Sequence, residues 1–320
     1  MCHMTTDTAA TGWAAPSVDG TLSRVVAFAN GKGGAGKTSC AANVAGLAAA
    51  AGHRTLLIDM DPQGNAGHDL GYGWTDATDH GDHLLHTLLA RGGAAFDPPV
   101  KAARANLDVI PGGQSLNELE DISAGRSRRG EDAYGQLANA LLPIADNYDL
   151  VIIDTPPTRP VLLRMALAAS RWIVIPTKPD RSSIEGLRVL ATEIARVKPE
   201  HPKLAILGSV LFDVGTSSKV IRKNALEDIA DVLGDVAPPF NTVIRHSERV
   251  ATAARERGRL VYELAAETED ADPWWLALRE GRAPIRVAGT APALADDYVL
   301  LTQEILVRIA QNESAEGREV

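Results

Sequence analysis

Eight consecutive residues, Gly31-Lys32-Gly33-Gly34-Ala35-Gly36-Lys37-Thr38, bring four glycines, two lysines and a hydroxyl onto one short stretch. They fit G-x-x-x-x-G-K-[ST] in full, with Ser39 following. Glycines let a backbone wrap closely around an anion and turn its N–H groups onto phosphate oxygens, at a helix N-terminus whose dipole favours negative charge. Lys37 then suits the β- and γ-phosphates of a nucleotide, and the Thr38 hydroxyl suits Mg²⁺. The setting agrees: the apolar run Val25–Ala29 comes immediately before and a helix-length segment, Thr38–Ala51, after.

Carboxylates recur at the ends of two further apolar runs. Leu56-Leu57-Ile58 leads into Asp59-Met60-Asp61-Pro62-Gln63-Gly64-Asn65, and Leu150-Val151-Ile152-Ile153 leads into Asp154-Thr155-Pro156-Pro157. Acids leaving parallel strands sit at the C-terminal edge of the sheet, where such sheets bind ligands. Asp154 can stand by a metal there without placing a charge inside the sheet.

The early lysine, Lys32, completes K-G-G-x-G-K-[ST], and with it the chain resembles the ParA/MinD family of deviant Walker A P-loop ATPases. The run ending in Asp61-Pro62-Gln63-Gly64-Asn65 is similar to the ParA/Soj branch, and Asp154-Thr155-Pro156-Pro157 looks like the family's Walker B strand with its D-x-P-P switch. Val174–Asp180 followed by Ile184-Glu185-Gly186-Leu187 matches the next family segment. The resemblance spans about Val25 to Leu264 and a closing helix near 296–311. It implies ATP hydrolysis with Mg²⁺, Lys32 reaching across a nucleotide sandwich to the partner subunit's phosphates, and Lys37 on the phosphates of its own subunit. It further implies that Asp61 polarises the attacking water, that Asp59 lies near the Mg²⁺ shell with Thr38 and Asp154, and that Thr155–Thr158 senses the γ-phosphate.

The elements that must hold these groups follow from the apolar pattern. Val25–Ala29, Thr55–Ile58, Leu107–Ile110, Leu150–Ile153, Trp172–Ile175 and Leu204–Leu211 are rich in Val, Ile and Leu with little polar alternation, as strands covered on both faces should be. Helix-length segments Tyr134–Leu142, Ile184–Val197 and Lys219–Leu233 alternate with them. The expectation is an α/β fold, a doubly wound and mostly parallel sheet with helices on both faces. Residues 1–22 read as a flexible tail, 23–320 as one ATPase domain, 266–294 as an insertion carrying Trp274-Trp275, and 296–311 as a closing helix.

The 320 residues are 45% hydrophobic with a net charge of −9. A uniformly basic nucleic-acid coat is excluded, but a local basic patch is not. Two cysteines, Cys2 and Cys40, exclude a disulfide scaffold and an iron–sulfur relative that needs later cysteines. No run approaches the ~20 apolar residues of a membrane span, and no secretory signal opens the chain. A cytoplasmic protein is expected, nucleoid-associated when ATP-bound.

ParA-type proteins dimerise on ATP, bind duplex DNA without sequence preference and are released by a ParB-like partner during plasmid or chromosome partition. Such binding needs lysines and arginines facing phosphate. Residues 215–260 hold eight Lys/Arg against six Asp/Glu, and Lys219, Arg222, Lys223, Arg245 and Arg249 are the candidates. Gly215 stands where the family pattern F-D-x-R-T has its arginine, and Ile244-Arg245-His246 replaces I-P-R. Alternatives within the family are a MinD-like membrane cycle and the positioning of a protein cargo. The first wants a basic amphipathic C-terminal helix, whereas Arg308 is the only basic residue between Asp296 and Gln311, so no stable membrane association is expected. His80, His83 and His86, three apart, could share a helical face as metal ligands, but no cysteine or acid pair completes a site.

Overall fold

Strand β1 (Val25–Phe28) is flanked on both sides by parallel partners, β5 (Leu150–Asp154) and β6 (Trp172–Thr177). Its alternate side chains feed opposite layers: Val26 and Phe28 enter one core cluster, Val25 and Ala27 another. A computed structural model describes residues 20–90, 96, 100–101, 104–129, 134–215, 219–269, 279 and 289–316. Within these the sheet has eight strands in the order β3-β4-β2-β5-β1-β6-β7-β8. The remaining strands are β2 (Thr55–Asp59), β3 (Val100–Lys101), β4 (Leu107–Ile110), β7 (Ala205–Val214) and β8 (Pro239–Arg245). All neighbours pair in parallel except β3, a two-residue antiparallel edge on β4. The doubly wound, mostly parallel sheet expected from the apolar runs is therefore present.

Register decides what meets at the sheet's C-terminal edge. Asp59 on β2 stands opposite Asp154 on β5, and Asp154 opposite Phe28 on β1, which leads into the glycine loop. Helix α1 (Lys37–Ala50) leaves that loop, and ten of its fourteen residues are buried. A helix apolar almost all round must be enclosed. Its cover includes the closing helix, α11 (Ala291–Glu316), whose Tyr298, Leu301, Ile305 and Ile309 lie in the same core cluster as Val44 and Ala48.

Between them run α2 (Asn65–Leu70), α3 (Asp82–Leu89), α4 (Glu118–Arg128), α5 (Gln136–Leu141), α6 (Pro160–Ala169) and α7 (Arg181–Val197). Later come α8 (Lys219–Leu233), α9 (Glu248–Arg257) and α10 (Val261–Glu269). Two starts are chemically marked. Pro160, with no N–H to lose, occupies the first turn of α6, and the Asp180 side chain caps α7 by accepting the Ser183 N–H at 2.7 Å.

Three boundaries differ from the sequence reading. Leu22 is fully buried in the second core cluster, so packing begins inside the stretch read as a tail. The closing helix begins at Ala291 and runs to Glu316, longer at both ends than 296–311. Residues 1–19 and Trp274-Trp275 lie outside the described residues.

Candidate nucleotide site

The glycine loop is held from below before it holds anything itself. Asn30, fully buried, donates from Nδ2 to the Pro176 carbonyl (2.8 Å) and accepts the Lys32 N–H on Oδ1 (3.0 Å). Gly36 ends the loop with φ +94° and packs under Phe212, whose ring would lie 2.4 Å from any Cβ placed there. Only glycine fits such a position without strain. Helix α1 starts at Lys37, directly after this loop.

The two lysines sit differently. Lys37 is buried and its Nζ donates to the Lys32 carbonyl at 2.8 Å. Burial pushes its ammonium below the ordinary lysine range, and the negative charges of Asp154 and Asp61 oppose that shift. Lys32 is exposed on the rim, and its ammonium has no hydrogen bond or ion pair among the described residues.

The carboxylates divide their work. Asp59 is fully buried, and both oxygens are taken: Oδ1 accepts the Asp61 N–H (2.9 Å) and Oδ2 the Ala66 N–H (3.2 Å). It thereby ties down the turn that carries Asp61, and on β2 it stands directly opposite Asp154. Asp61 lines the cleft. Its Oδ1 accepts the Gln63 N–H at 2.9 Å, and its second oxygen has no hydrogen bond among the described residues. Burial raises its pKa, countered by the Gln63 N–H and then by Lys37 and Arg159.

Asp154 is the opposite of Asp59. It is fully buried, and neither oxygen has a hydrogen-bond partner of good geometry. Desolvation holds its carboxyl up at about 7, with the nearby Thr38 hydroxyl and Lys37 pulling it down. An unpartnered buried carboxylate beside a threonine hydroxyl and a glycine loop is the donor set expected for a hydrated Mg²⁺ shared with phosphate oxygens. Thr38 and Asp154 therefore fit the ion, with Asp59 beside Asp154 on the neighbouring strand.

Downstream of Asp154 the segment Thr155–Thr158 is anchored at one end. Thr155 donates its hydroxyl to the Phe28 carbonyl at 2.8 Å, and Thr158 takes φ +52°, a left-handed backbone that costs a non-glycine residue roughly 1–2 kcal/mol. Arg159 follows, hydrogen-bonded to Asn117 Oδ1 at 2.9 Å. Its charge acts on Asp61, a role that sequence reading did not assign.

A cleft of about 840 Å³ opens from the loop toward β7 and α9, within the range of small-molecule sites. Its far wall is a charged cluster at the ends of β6, β7 and β8. Asp213, at φ +65°, accepts Lys178 Nζ (2.7 Å) and pairs closely with His246 Nδ1. Burial alone would raise the Asp213 carboxyl, but these two partners hold it below its ordinary value.

The basic candidates do not assemble evenly. Arg245 is bound twice by its guanidinium and once by its N–H to Asp297 on α11, at 2.6, 2.7 and 3.0 Å. It braces β8 against the closing helix, while its side chain stays 34% exposed. Arg249 on α9 and Arg222 and Lys223 on α8 are exposed, Arg222 donating to the Asn241 carbonyl and Lys223 making a loose 3.6 Å pair with Glu227. Lys219 opens α8. Arg255, beyond the named candidates, pairs with the buried Asp69 at 3.2 Å.

Close by, the C-terminal ends of α2 and α9 touch backbone to backbone. Their caps are Gly71 (φ +82°) and Gly258 (φ +60°), and a Cβ on Gly258 would lie 2.2 Å from Gly71 Cα. Arg104 binds the carbonyls of Leu70 (2.8 Å) and Gly258 (3.3 Å) and the carboxylate of Glu263. His80 lies in the loop before α3 and His83 and His86 on it. His86 Nδ1 bonds the Asp82 carbonyl, and among the described residues no three such side chains converge on a metal position. Nor is any described helix long and apolar enough to cross a membrane.

Residues 23–206 match the model of an AAA-domain family. The chromosome partitioning protein ParA of Caulobacter vibrioides is 37% identical over 231 residues, which is 70% of this chain and 83% of that protein. The ATP complex of a Cyanothece McdA variant superposes with a TM-score of 0.66 at 21% identity, covering 88% of this chain and 96% of its own. The cell division ATPase MinD of Pyrococcus furiosus gives 0.60 at 21%, covering 89% and 98%, so both share the fold. With the double-lysine loop, the Asp61 turn and the Asp154 strand in place at one sheet edge, the chain belongs to the ParA/MinD family of deviant Walker A P-loop ATPases, in its ParA/Soj branch.

Proposed function

We propose that this ATPase closes into a sandwich dimer on ATP, binds duplex DNA without sequence preference in that state, and works with a ParB-like adaptor to partition plasmid or chromosome DNA. One observation carries the reading: the loop buries one lysine among carboxylates and leaves the other exposed, without a partner among the described residues. A buried Lys37 serves its own subunit's phosphates, exchanging the Lys32 carbonyl for phosphate oxygens. Lys32, exposed at the rim, can serve a second subunit's phosphates, as an arginine finger does.

Thr38 and Asp154 would hold Mg²⁺. Bound there, it would supply positive charge against the phosphates. Asp61, fixed through one oxygen by Gln63, can orient water with the other. Thr158, left-handed between Pro157 and Arg159, marks where the switch can relax when the γ-phosphate leaves.

DNA contact falls to Arg249, Arg222 and Lys223, with Lys219 at the same helix start, because Arg245 is held by Asp297. The apolar stripe of α11 faces the core, and Arg308 turns its guanidinium onto the carbonyls of Leu207, Pro238 and Pro239. Both features favour DNA over a lipid surface.

The test is an electrophoretic shift of random duplex with ATP, ADP or no nucleotide, alongside light scattering with Mg²⁺ present. A shift with ATP alone and a doubled mass are expected. Equal binding in all three states, or a monomer with ATP, overturns the proposal, and ATP-dependent pelleting with anionic vesicles would transfer the cycle to a membrane.

A further inference from the structure

Gly186 lies inside α7, where glycine weakens a helix relative to alanine, so its presence calls for a packing reason. The reason is the phosphate loop. The Gly31 N–H donates to the Gly186 carbonyl at 3.2 Å, and a Cβ on Gly31 would stand 2.7 Å from that oxygen. A Cβ on Gly186 would stand 2.4 Å from Asn30 Oδ1, 2.8 Å from Lys32 N and 2.9 Å from Lys32 Cβ. Real side chains do not approach so closely, so helix and loop meet with only hydrogen atoms between them.

Hydrogen bonds hold the Lys32 backbone on two more sides. Its N–H is held by Asn30 Oδ1, Asn30 is fixed in turn to the end of β6 at Pro176, and its carbonyl is held by Lys37. The backbone of Lys32 is thus referenced to β6 and α7 while its ammonium stays without a partner among the described residues.

We infer that Gly186 and Asn30 are positioning residues for Lys32: together they set the direction in which its ammonium leaves the protomer. The inference rests on the sandwich reading above, in which that ammonium acts across the dimer. A methyl group at Gly186 must push either Asn30 or the Lys32 backbone aside, and removing the Asn30 amide frees the Lys32 N–H. A displacement of ~1 Å in a positioned catalytic group can cost ~100-fold in rate.

The experiment is a cycle of Gly186→Ala, Asn30→Ala and Lys32→Ala, singly and with Lys32→Ala combined with each of the other two, in the full-length protein. Steady-state ATP turnover, mass by light scattering with Mg²⁺-ATP, and hydrogen exchange at the Lys32 amide are read. Gly186→Ala and Asn30→Ala should each lower turnover by roughly tenfold or more, and exchange at the Lys32 amide should quicken in Asn30→Ala. In the Lys32→Ala background neither should lower turnover further, since the group they position is gone; a defect of general packing would lower it again. Turnover within twofold of the native chain in both single variants, or an equal added loss in the Lys32→Ala background, overturns the inference. Should Gly186→Ala fail to fold, Asn30→Ala, which adds no atoms, decides by the same cycle. If Lys32→Ala alone turns over normally, the sandwich reading itself falls, a result distinct from failure of the positioning role.

Discussion

Replacing Arg245 by alanine separates a brace from a DNA contact. The Asp297 side chain is 9% exposed and receives two guanidinium N–H groups and one backbone N–H, all from Arg245. Removing one partner of a buried ion pair costs about 3–5 kcal/mol when the remaining charge is left bare. Two features reduce that figure here: the Arg245 side chain is 34% exposed, so water can reach the gap, and the backbone N–H stays bonded to Asp297. The expected loss is about 2–3 kcal/mol, which at a urea slope of about 3 kcal/mol/M lowers the midpoint by just under ~1 M. Asp297→Ala should cost a similar amount, and the double variant less than the two singles together, with a coupling of roughly 1–3 kcal/mol. The assay is urea unfolding followed by circular dichroism, in parallel with the salt dependence of binding to random duplex. Arg245→Ala that unfolds within ~0.5 kcal/mol of the native chain while flattening the salt slope would refute the brace and restore Arg245 to the DNA surface.

Other perturbations read other parts of the site. Gly36→Ala combines a left-handed backbone with overlap on Phe212 and should destabilise by about 2–5 kcal/mol; Phe212→Ala in the same chain should recover the overlap share alone, and a neutral Gly36→Ala in thermal unfolding contradicts the loop geometry. Burial pushes the Cys40 thiol up, so mass mapping after brief treatment with a thiol reagent should find it unmodified until the protein unfolds, whereas prompt labelling would mean that α1 is open. Asp154 binds its proton more tightly folded, near 7, than unfolded, near 3.8. Its contribution is therefore fully present below about pH 4 and is lost as the pH rises through 7. Between pH 5 and 8 without nucleotide, the melting temperature of Asp154→Asn should fall less than that of the native chain, and parallel curves would remove Asp154 from this role.

Much of the chemistry lies in short, local signals. The glycine loop, the Asp61 turn and the Asp154 strand each declare themselves within ten residues, and Leu107–Ile110 is a strand to the residue because an apolar run covered on both faces leaves no other choice. β8 is harder to see: it opens at Pro239, carries Asn241 and Thr242, and is only partly buried at the sheet edge. Long-range pairings are invisible by nature. No local pattern tells that Asp297, fifty-two residues on, will claim Arg245, or that two N–H groups will occupy Asp59. Asn30 and Gly186 are intermediate cases, since a buried amide just before a glycine loop and a glycine inside a helix are both anomalies a sequence shows without explaining.

The glycine seam between α2 and α9 has a mechanical meaning. No side chain lies between Gly71 and Gly258 to yield, and Arg104 rivets the carbonyls of Leu70 and Gly258 to Glu263 on α10. The turn bearing Asp61 and the helix bearing Arg249 are therefore one stiff lever, pinned a second time where Arg255 grips Asp69. Whatever tilts the Asp61 turn must swing the Arg249 helix with it, through a joint too thin to absorb the stroke.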